Sequence, residues 1–203
     1  MTFDLTPEQQ TLIATARSIA ALPAKALDAV LVLEERASHD PADAARFGFE
    51  GVGGRSNVTA LMLPGLEGSE AALASIPDSN RPRARLLAAA VALGVGKAAV
   101  AHAVASMKKR DVKPGPDTTV PHWTLADGAT DVQAARLLTY SAAESLDRGQ
   151  PGDLIGRALE FASNAATRAV EAAIRVEGVS GFTKGGLLER LSRDARTLQV
   201  ILR

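Results

Sequence analysis

The sequence contains no cysteine, which excludes disulfides, thiolate metal sites and a cysteine nucleophile. Aromatic residues are only 3% of the chain, so a core has to be built from Ala, Leu and Val. There is no excess of charge: 23 Lys and Arg balance 23 Asp and Glu. That argues against a nucleic acid or an anionic membrane held by bulk charge. No Walker loop, dinucleotide fingerprint or serine-nucleophile motif is present. Gly51-Val52-Gly53-Gly54-Arg55-Ser56 is Gly-rich but reads as a flexible loop. The three histidines, His39, His102 and His122, are far apart and lack metal-ligand spacing, so no metal is expected. His102, on an Ala-rich helix, reads as a satisfied core or interface residue. The opening MTFDLTPEQQ lacks the basic and apolar regions of a signal peptide. The most apolar run, 86–107, is long enough to suggest a membrane span, yet it holds Lys97 and His102 and is mostly Ala. It reads as a buried bundle helix, and a soluble cytoplasmic protein is the expectation.

What the sequence does have is helical periodicity. Thr6-Pro7-Glu8-Gln9 combines a cap, a proline suited to the first helical position and a capping-box partner. Leu12, Ile13, Ala16, Ile19 and Ala20 follow at helical spacing, predicting an amphipathic helix over 7–21. Pro23 interrupts, a second helix is expected over 24–36 with Leu27, Val30, Leu31 and Leu33 inward, and Pro41 restarts a short one to about Phe47. Longer patterns then predict helices over 83–109, 124–148, 153–177 and 186–202. Trp123 is expected to anchor the preceding Pro- and Gly-rich loop against these helices. Long helices joined by short loops pack antiparallel. The fold class is therefore all-α: an up-down four-helix bundle over 82–203, with N-terminal helices over 1–47 packed on it. Between them, 48–81 is rich in Gly and Pro and reads as an irregular linker, in which 57–63 is a possible strand and 67–74 a possible short helix. The helices at 83–109 and 153–177 are Ala- and Val-rich around much of their circumference, so self-association or a partner is expected to cover them.

The stretch 171–203 is the most specific. Gly178-Val179-Ser180-Gly181-Phe182 ends one helix, Gly185-Gly186 precedes another, and the latter carries Glu189-Arg190-Leu191-Ser192-Arg193-Asp194-Ala195-Arg196. This order resembles the C-terminal signature of the acyl-CoA dehydrogenase family, a "GGxG(Y/F)" turn followed by "ERxxRDA(R/K)". The segments RLLAAAVALGVGKAAVAHAV, TLADGATDVQAARLLTYSAAESLDRG and FDLTPEQQTLIATARSIA resemble that family's long helix, its next helix and its opening. The resemblance implies an N-terminal helical domain, a middle β domain and a C-terminal four-helix bundle. Residues 48–81 are too few for the β domain, so the chain resembles a family member with its middle removed.

The family abstracts a substrate α-proton with a Glu while hydride passes to FAD; the base must accept a proton without attacking the thioester. The resemblance places that Glu either seven residues beyond Ala195, at Leu202, or just before Arg85, at Ala84. Neither side chain takes a proton, and the nearest carboxylates, Asp78 and Glu189, match neither place, so no catalytic residue is assigned. Glu189 reads as a surface partner of Arg193. For the flavin, the resemblance implies a phosphate contact at Arg110 and close backbone approaches at the glycines of the turn. Arg110, Gly178 and Gly181 are thus candidate remnants of a cofactor site. Val179 replaces the second Gly, Arg175 stands where a Gln is usual, and Asp111-Val112 replaces Phe-Gly. Lys108-Lys109-Arg110 reads equally as a basic helix end balancing the dipole. Two functions follow: a non-catalytic assembly or binding module, with no cofactor, or an FAD-dependent acyl-CoA dehydrogenase component (an oxidoreductase on CH–CH donors) sharing a flavin across a subunit interface. The partner expected is a second copy or a full-length acyl-CoA dehydrogenase subunit.

Overall fold

A computed structural model describes residues 4–52, 76–110, 119–150 and 152–200, with side chains from 122 onwards in the third of these stretches. Leu202, the strand and helix considered within 57–74, and Asp111-Val112 lie outside the described residues. Every regular element among them is helical: α1 (Pro7–Thr15), α2 (Ala26–His39), α3 (Pro41–Glu50), α4 (Arg81–Lys109), α5 (Thr119–Asp147), α6 (Leu154–Glu177) and α7 (Leu187–Val200), with 3-10 turns at Ala16–Ser18, Asp78–Asn80 and Gly178–Phe182.

The N-terminal capping box forms as the sequence implies: Gln9 N–H donates to Thr6 Oγ1 at 3.2 Å and Thr6 N–H to Gln9 Oε1 at 3.0 Å. The helix is shorter than its periodicity suggests. Thr11 and Thr15 donate back to the carbonyls of Pro7 and Thr11, at 2.9 and 2.8 Å, bonds that compete with the helical ladder. After Thr15 the chain tightens into a 3-10 turn and leaves extended at Ile19. No residue of α1 is buried.

Two later boundaries move for a common reason. α4 begins at Arg81 and takes in Pro82, and α5 begins at Thr119 and takes in Pro121. The first N–H groups of a helix have no intrahelical acceptor, so a proline there forfeits nothing. Trp123 consequently lies on α5, and the loop that it is expected to anchor lies outside the described residues. Leu125, 5% exposed, faces the core; two residues back is about 200° around the helix, and Trp123 is 69% exposed.

α2 is a core element. Arg83, at the start of α4, donates to the carbonyls of Pro23 and Ala24, and Gly94, further along α4, meets Ala37. α2 therefore runs parallel to the first half of α4. It runs antiparallel to the last half of α5, whose Asp147 accepts the N–H groups of Ala26 at 2.7 Å and Leu27 at 3.1 Å. That carboxylate caps a helix whose own N-cap, Lys25, supplies no side-chain bond. Close approach is built from glycine: a Cβ on Gly94 would sit 2.4 Å from Ala37 Cβ and 2.6 Å from the Glu34 carbonyl oxygen.

This arrangement covers much of the apolar circumference of α4 within the chain. Residues 86–96 of α4 are all buried within the chain, because α2, α3, α5 and α6 surround them. α6 has a polar stripe at Arg157, Glu160, Arg168 and Arg175, all exposed. Neither helix demands a second molecule along its whole length. α4 is long and apolar enough by composition to cross a membrane, but 67% of that apolar window is buried inside the bundle.

Candidate functional site

The two ends of the bundle carry different chemistry. At one end lie the starts of α4 and α6 and the end of α7. Ala84, one of the two positions the family resemblance gives to a base, is 0% exposed and belongs to the core. Arg85 beside it turns outward and lines a cleft of ≈340 Å³ with Gly156, Leu159, Glu160, Leu198 and Gln199. A second cleft of ≈470 Å³ adjoins it across Arg85, reaching Asp153 and Arg157. Glu160 is the carboxylate that sequence reasoning missed. Its signal is faint: it follows Gly156 by one turn on the polar stripe of α6, and only the packing of α7 makes that stripe one wall of a cleft. Gln199 fixes the opposite wall, its Nε2 donating to Asn164 Oδ1 at 2.9 Å.

The carboxylates named from sequence are elsewhere. Asp78 has its side chain 89% exposed and pairs with Arg81 at 3.0 Å. Glu189 pairs with Arg193 one turn on, at 3.0 Å, and accepts the Gly185 N–H at 3.2 Å. Asp194, in the same motif, is half-buried and lines a cleft with His39 and Asp40 at the α2–α3 corner. Burial raises its carboxyl to about 6, against the opposing pull of Arg193 and Arg190.

At the other end, the three positions proposed as flavin remnants do come together. Arg110, closing α4, donates from Nη2 to the Val176 carbonyl at 3.0 Å and from Nε to the Ser106 carbonyl at 3.4 Å. Gly178 ends α6 with φ +70°, a conformation that resists a Cβ. Gly181 is buried; a Cβ there would stand 3.2 Å from Ile174 Cα. Glu177, with a side chain 12% exposed, is shared by His102 at 3.2 Å and Arg110 at 3.8 Å. His102 is thus a surface pairing residue joining α4 to α6. His39 pairs with Glu35 at 3.4 Å, and His122 lies on α5, so the histidines occupy three separate places.

The Arg110 guanidinium is engaged by the C-terminus of α6, the site where its own chain most needs a cation. Val179, which replaces the second Gly of the family turn, is 91% exposed, and Phe182, which matches the aromatic position of that turn, is 71% exposed. What this arrangement does do is tie the ends of α4 and α6 together beneath an exposed apolar turn.

Comparison with known proteins agrees with the fold and motif. The family model for the acyl-CoA dehydrogenase C-terminal domain matches residues 79–201. An acyl-CoA dehydrogenase of Bacillus subtilis (strain 168) is 37% identical over 155 residues, covering 71% of this chain and 41% of its own length. A cyclohex-1-ene-1-carbonyl-CoA dehydrogenase of Syntrophus aciditrophicus (strain SB) is 35% identical over 120 residues, 57% of this chain and 29% of that protein. The chain thus spans less than half the length of these curated relatives. Among solved structures, an acyl-CoA dehydrogenase from Slackia heliotrinireducens aligns over 62% of this chain and 34% of its own, with TM-score 0.57 and 25% identity. Butyryl-CoA dehydrogenase from Megasphaera elsdenii aligns across 100% of this chain and 96% of its own with TM-score 0.76; at 17% identity that likeness is one of fold. With 79–201 matched to the family's own C-terminal domain, the chain belongs to the acyl-CoA dehydrogenase family.

Proposed function

We propose that this chain is a non-catalytic acyl-CoA dehydrogenase-like module that works by assembly, pairing with a second copy or with a full-length subunit of its family. The observation that carries this reading is Ala84: the position is filled by a methyl group and closed into the core. The other base position, Leu202, holds no carboxylate either. A missing general base typically costs ~100- to 10,000-fold even in an intact site, and here the positioning of thioester and flavin is weakened as well. Arg110, Gly178 and Gly181 act on this reading as an interhelical brace descended from a cofactor contact.

A second reading has one observation in its favour. Glu160 and Arg85 line the same cleft beside Gln199, a carboxylate and a cation in the neighbourhood where the family keeps its base. On this reading the chain is a component of an FAD-dependent acyl-CoA dehydrogenase, sharing a flavin site across a subunit interface.

Purified protein incubated with FAD and desalted separates the two. The module reading expects no retained flavin absorbance, no reduction of an artificial electron acceptor with acyl-CoA substrates of several lengths, and a solution mass above one chain or a stable complex with a full-length relative. Retained flavin and steady turnover that falls on Glu160→Gln would replace it with the second reading. Ala84→Glu is not expected to restore turnover, since base, flavin and thioester have to be held together for the reaction.

A further inference from the structure

α5 and α6 are antiparallel neighbours held close by Gly128, where an added Cβ would stand 3.1 Å from Ala169 Cα. Their outer surfaces carry opposite charge. On α5, Asp127, Asp131, Ala134 and Leu138 recur at helical spacing and share one face. The single Lys or Arg of that helix, Arg136, is turned inward onto Glu34. On α6, Arg157, Phe161, Arg168 and Arg175 share one face in the same way. Two acids of α6 are already engaged, Glu171 by Arg196 of α7 at 2.5 Å and Glu177 by His102 at 3.2 Å. A shallow cleft of ≈290 Å³ between the two helices brings Asp127, Asp131, Arg168 and Arg175 together. Asp131 accepts from Arg168 Nε at 2.7 Å. The side chains of Asp127 and Arg175 form no hydrogen bond or ion pair among the described residues. Two turns from the Asp131–Arg168 pair the face becomes apolar: Leu138 and Phe161 are half-buried there and Ala134 is exposed.

This distribution favours one symmetry of self-pairing. A two-fold axis parallel to the helices lays α5 of one copy over α6 of the other at the same height, so Asp127 meets Arg175 twice and Leu138 meets Phe161 twice. An axis across the helices lays α5 on α5 and α6 on α6, which sets like charges together. The face is also large enough. α6 has 24 residues, about 36 Å at 1.5 Å each, and two helices side by side are about 20 Å wide. Such a face offers ~700 Å² per copy, close to the ~800 Å² per partner of a stable interface. We propose that two copies of this chain pair through α5 and α6 about a two-fold axis parallel to those helices, with Asp127 of each copy on Arg175 of the other. This rests on the assembly reading above and gives its second-copy form a surface and a geometry.

Light scattering on the full chain at micromolar concentration tests it. The parent should have the mass of two chains or an even multiple. Asp127→Arg and Arg175→Asp should each raise the dimer dissociation constant by about tenfold or more, since each turns two attractive contacts repulsive. Both residues are exposed, so the helical circular dichroism should be unchanged. Mixing the two variants should restore the dimer, because each copy then offers the charge that the other needs at both contacts. A role for Asp127 and Arg175 within one chain gives no such rescue. A parent dimer indifferent to both variants, or weakened by them without rescue on mixing, would overturn this pairing and leave the assembly reading standing on another face. A monomeric parent would overturn it too, and the assembly reading would then stand or fall on the complex with a full-length relative.

Discussion

Glu34 of α2 and Arg136 of α5 form an ion pair inside the protein, with Nη2 2.6 Å and Nε 2.7 Å from the same carboxylate oxygen. The Glu34 side chain is 6% exposed and that of Arg136 19%. Tyr140 donates to the other oxygen at 2.8 Å. Burial works to discharge the guanidinium, and Glu34 more than offsets it, so Arg136 is held charged above its ordinary range. Breaking such a pair strands the remaining charge. Glu34→Ala or Arg136→Ala is expected to lower unfolding stability by about 3–5 kcal/mol. The double variant Glu34→Met, Arg136→Met should be less destabilised than either single one, as measured by urea unfolding.

Tyr140 is the single tyrosine of the chain, so its ionisation can be followed alone. Burial first, and the adjacent Glu34 carboxylate next, push its hydroxyl well above the ordinary value of 10.0. In an alkaline titration at 295 nm no phenolate should appear until the protein unfolds. The absorbance step and the loss of helical circular dichroism are expected to coincide. A phenolate transition near 10 in folded protein would mean that α2 is not seated on α5 as described.

Asp194 gives the protein a dependence on pH of the opposite kind to a salt-bridged carboxylate. Its folded-state carboxyl is raised to about 6 from 3.8, so between those values the folded chain binds more protons than the unfolded one. Stability from this group is therefore greatest below pH ~4 and is lost as pH rises through 6. Asp40, Glu189, Arg190 and Arg193 share its surroundings. Asp194→Asn should be more stable than the parent at pH 7.5, and the difference should shrink at pH 5. Chemical unfolding of both proteins at the two values checks the sign.

Two glycines on core helices should respond oppositely to the same change. Gly94→Ala places a methyl 2.4 Å from Ala37 Cβ and against the Glu34 carbonyl. Backbone there cannot step aside, so α2 must shift, at a cost of about 1–3 kcal/mol or more. Gly156→Ala meets nothing within 4 Å and should gain up to about 1 kcal/mol from helix propensity. Thermal unfolding of the pair measures both.

Local signals determined most of the secondary structure, because caps and apolar spacing act within a few residues. The Thr6–Gln9 box, the long repeats of α4, α5 and α6 and the glycines closing α6 at Gly178 were all readable in the sequence. The family motif was readable for the same reason, since Glu189 and Arg193 lie one turn apart. Misjudged boundaries, at Pro82, Pro121 and Thr15, came from proline and threonine, whose effect depends on their place in the helix. Tertiary packing alone decided that α2 is central. Its burial rests on Gly94, Arg136 and Asp147, which lie 57–121 residues from the groups they meet on α2. No local periodicity reports such distances. The same packing turned Glu160 from one more charge on a polar stripe into the wall of a cleft, and set the acids of α5 beside the arginines of α6 on one open face. A cleft is a relation between helices, and a one-dimensional pattern specifies which face of each helix is apolar but not which neighbour covers it, or how far along.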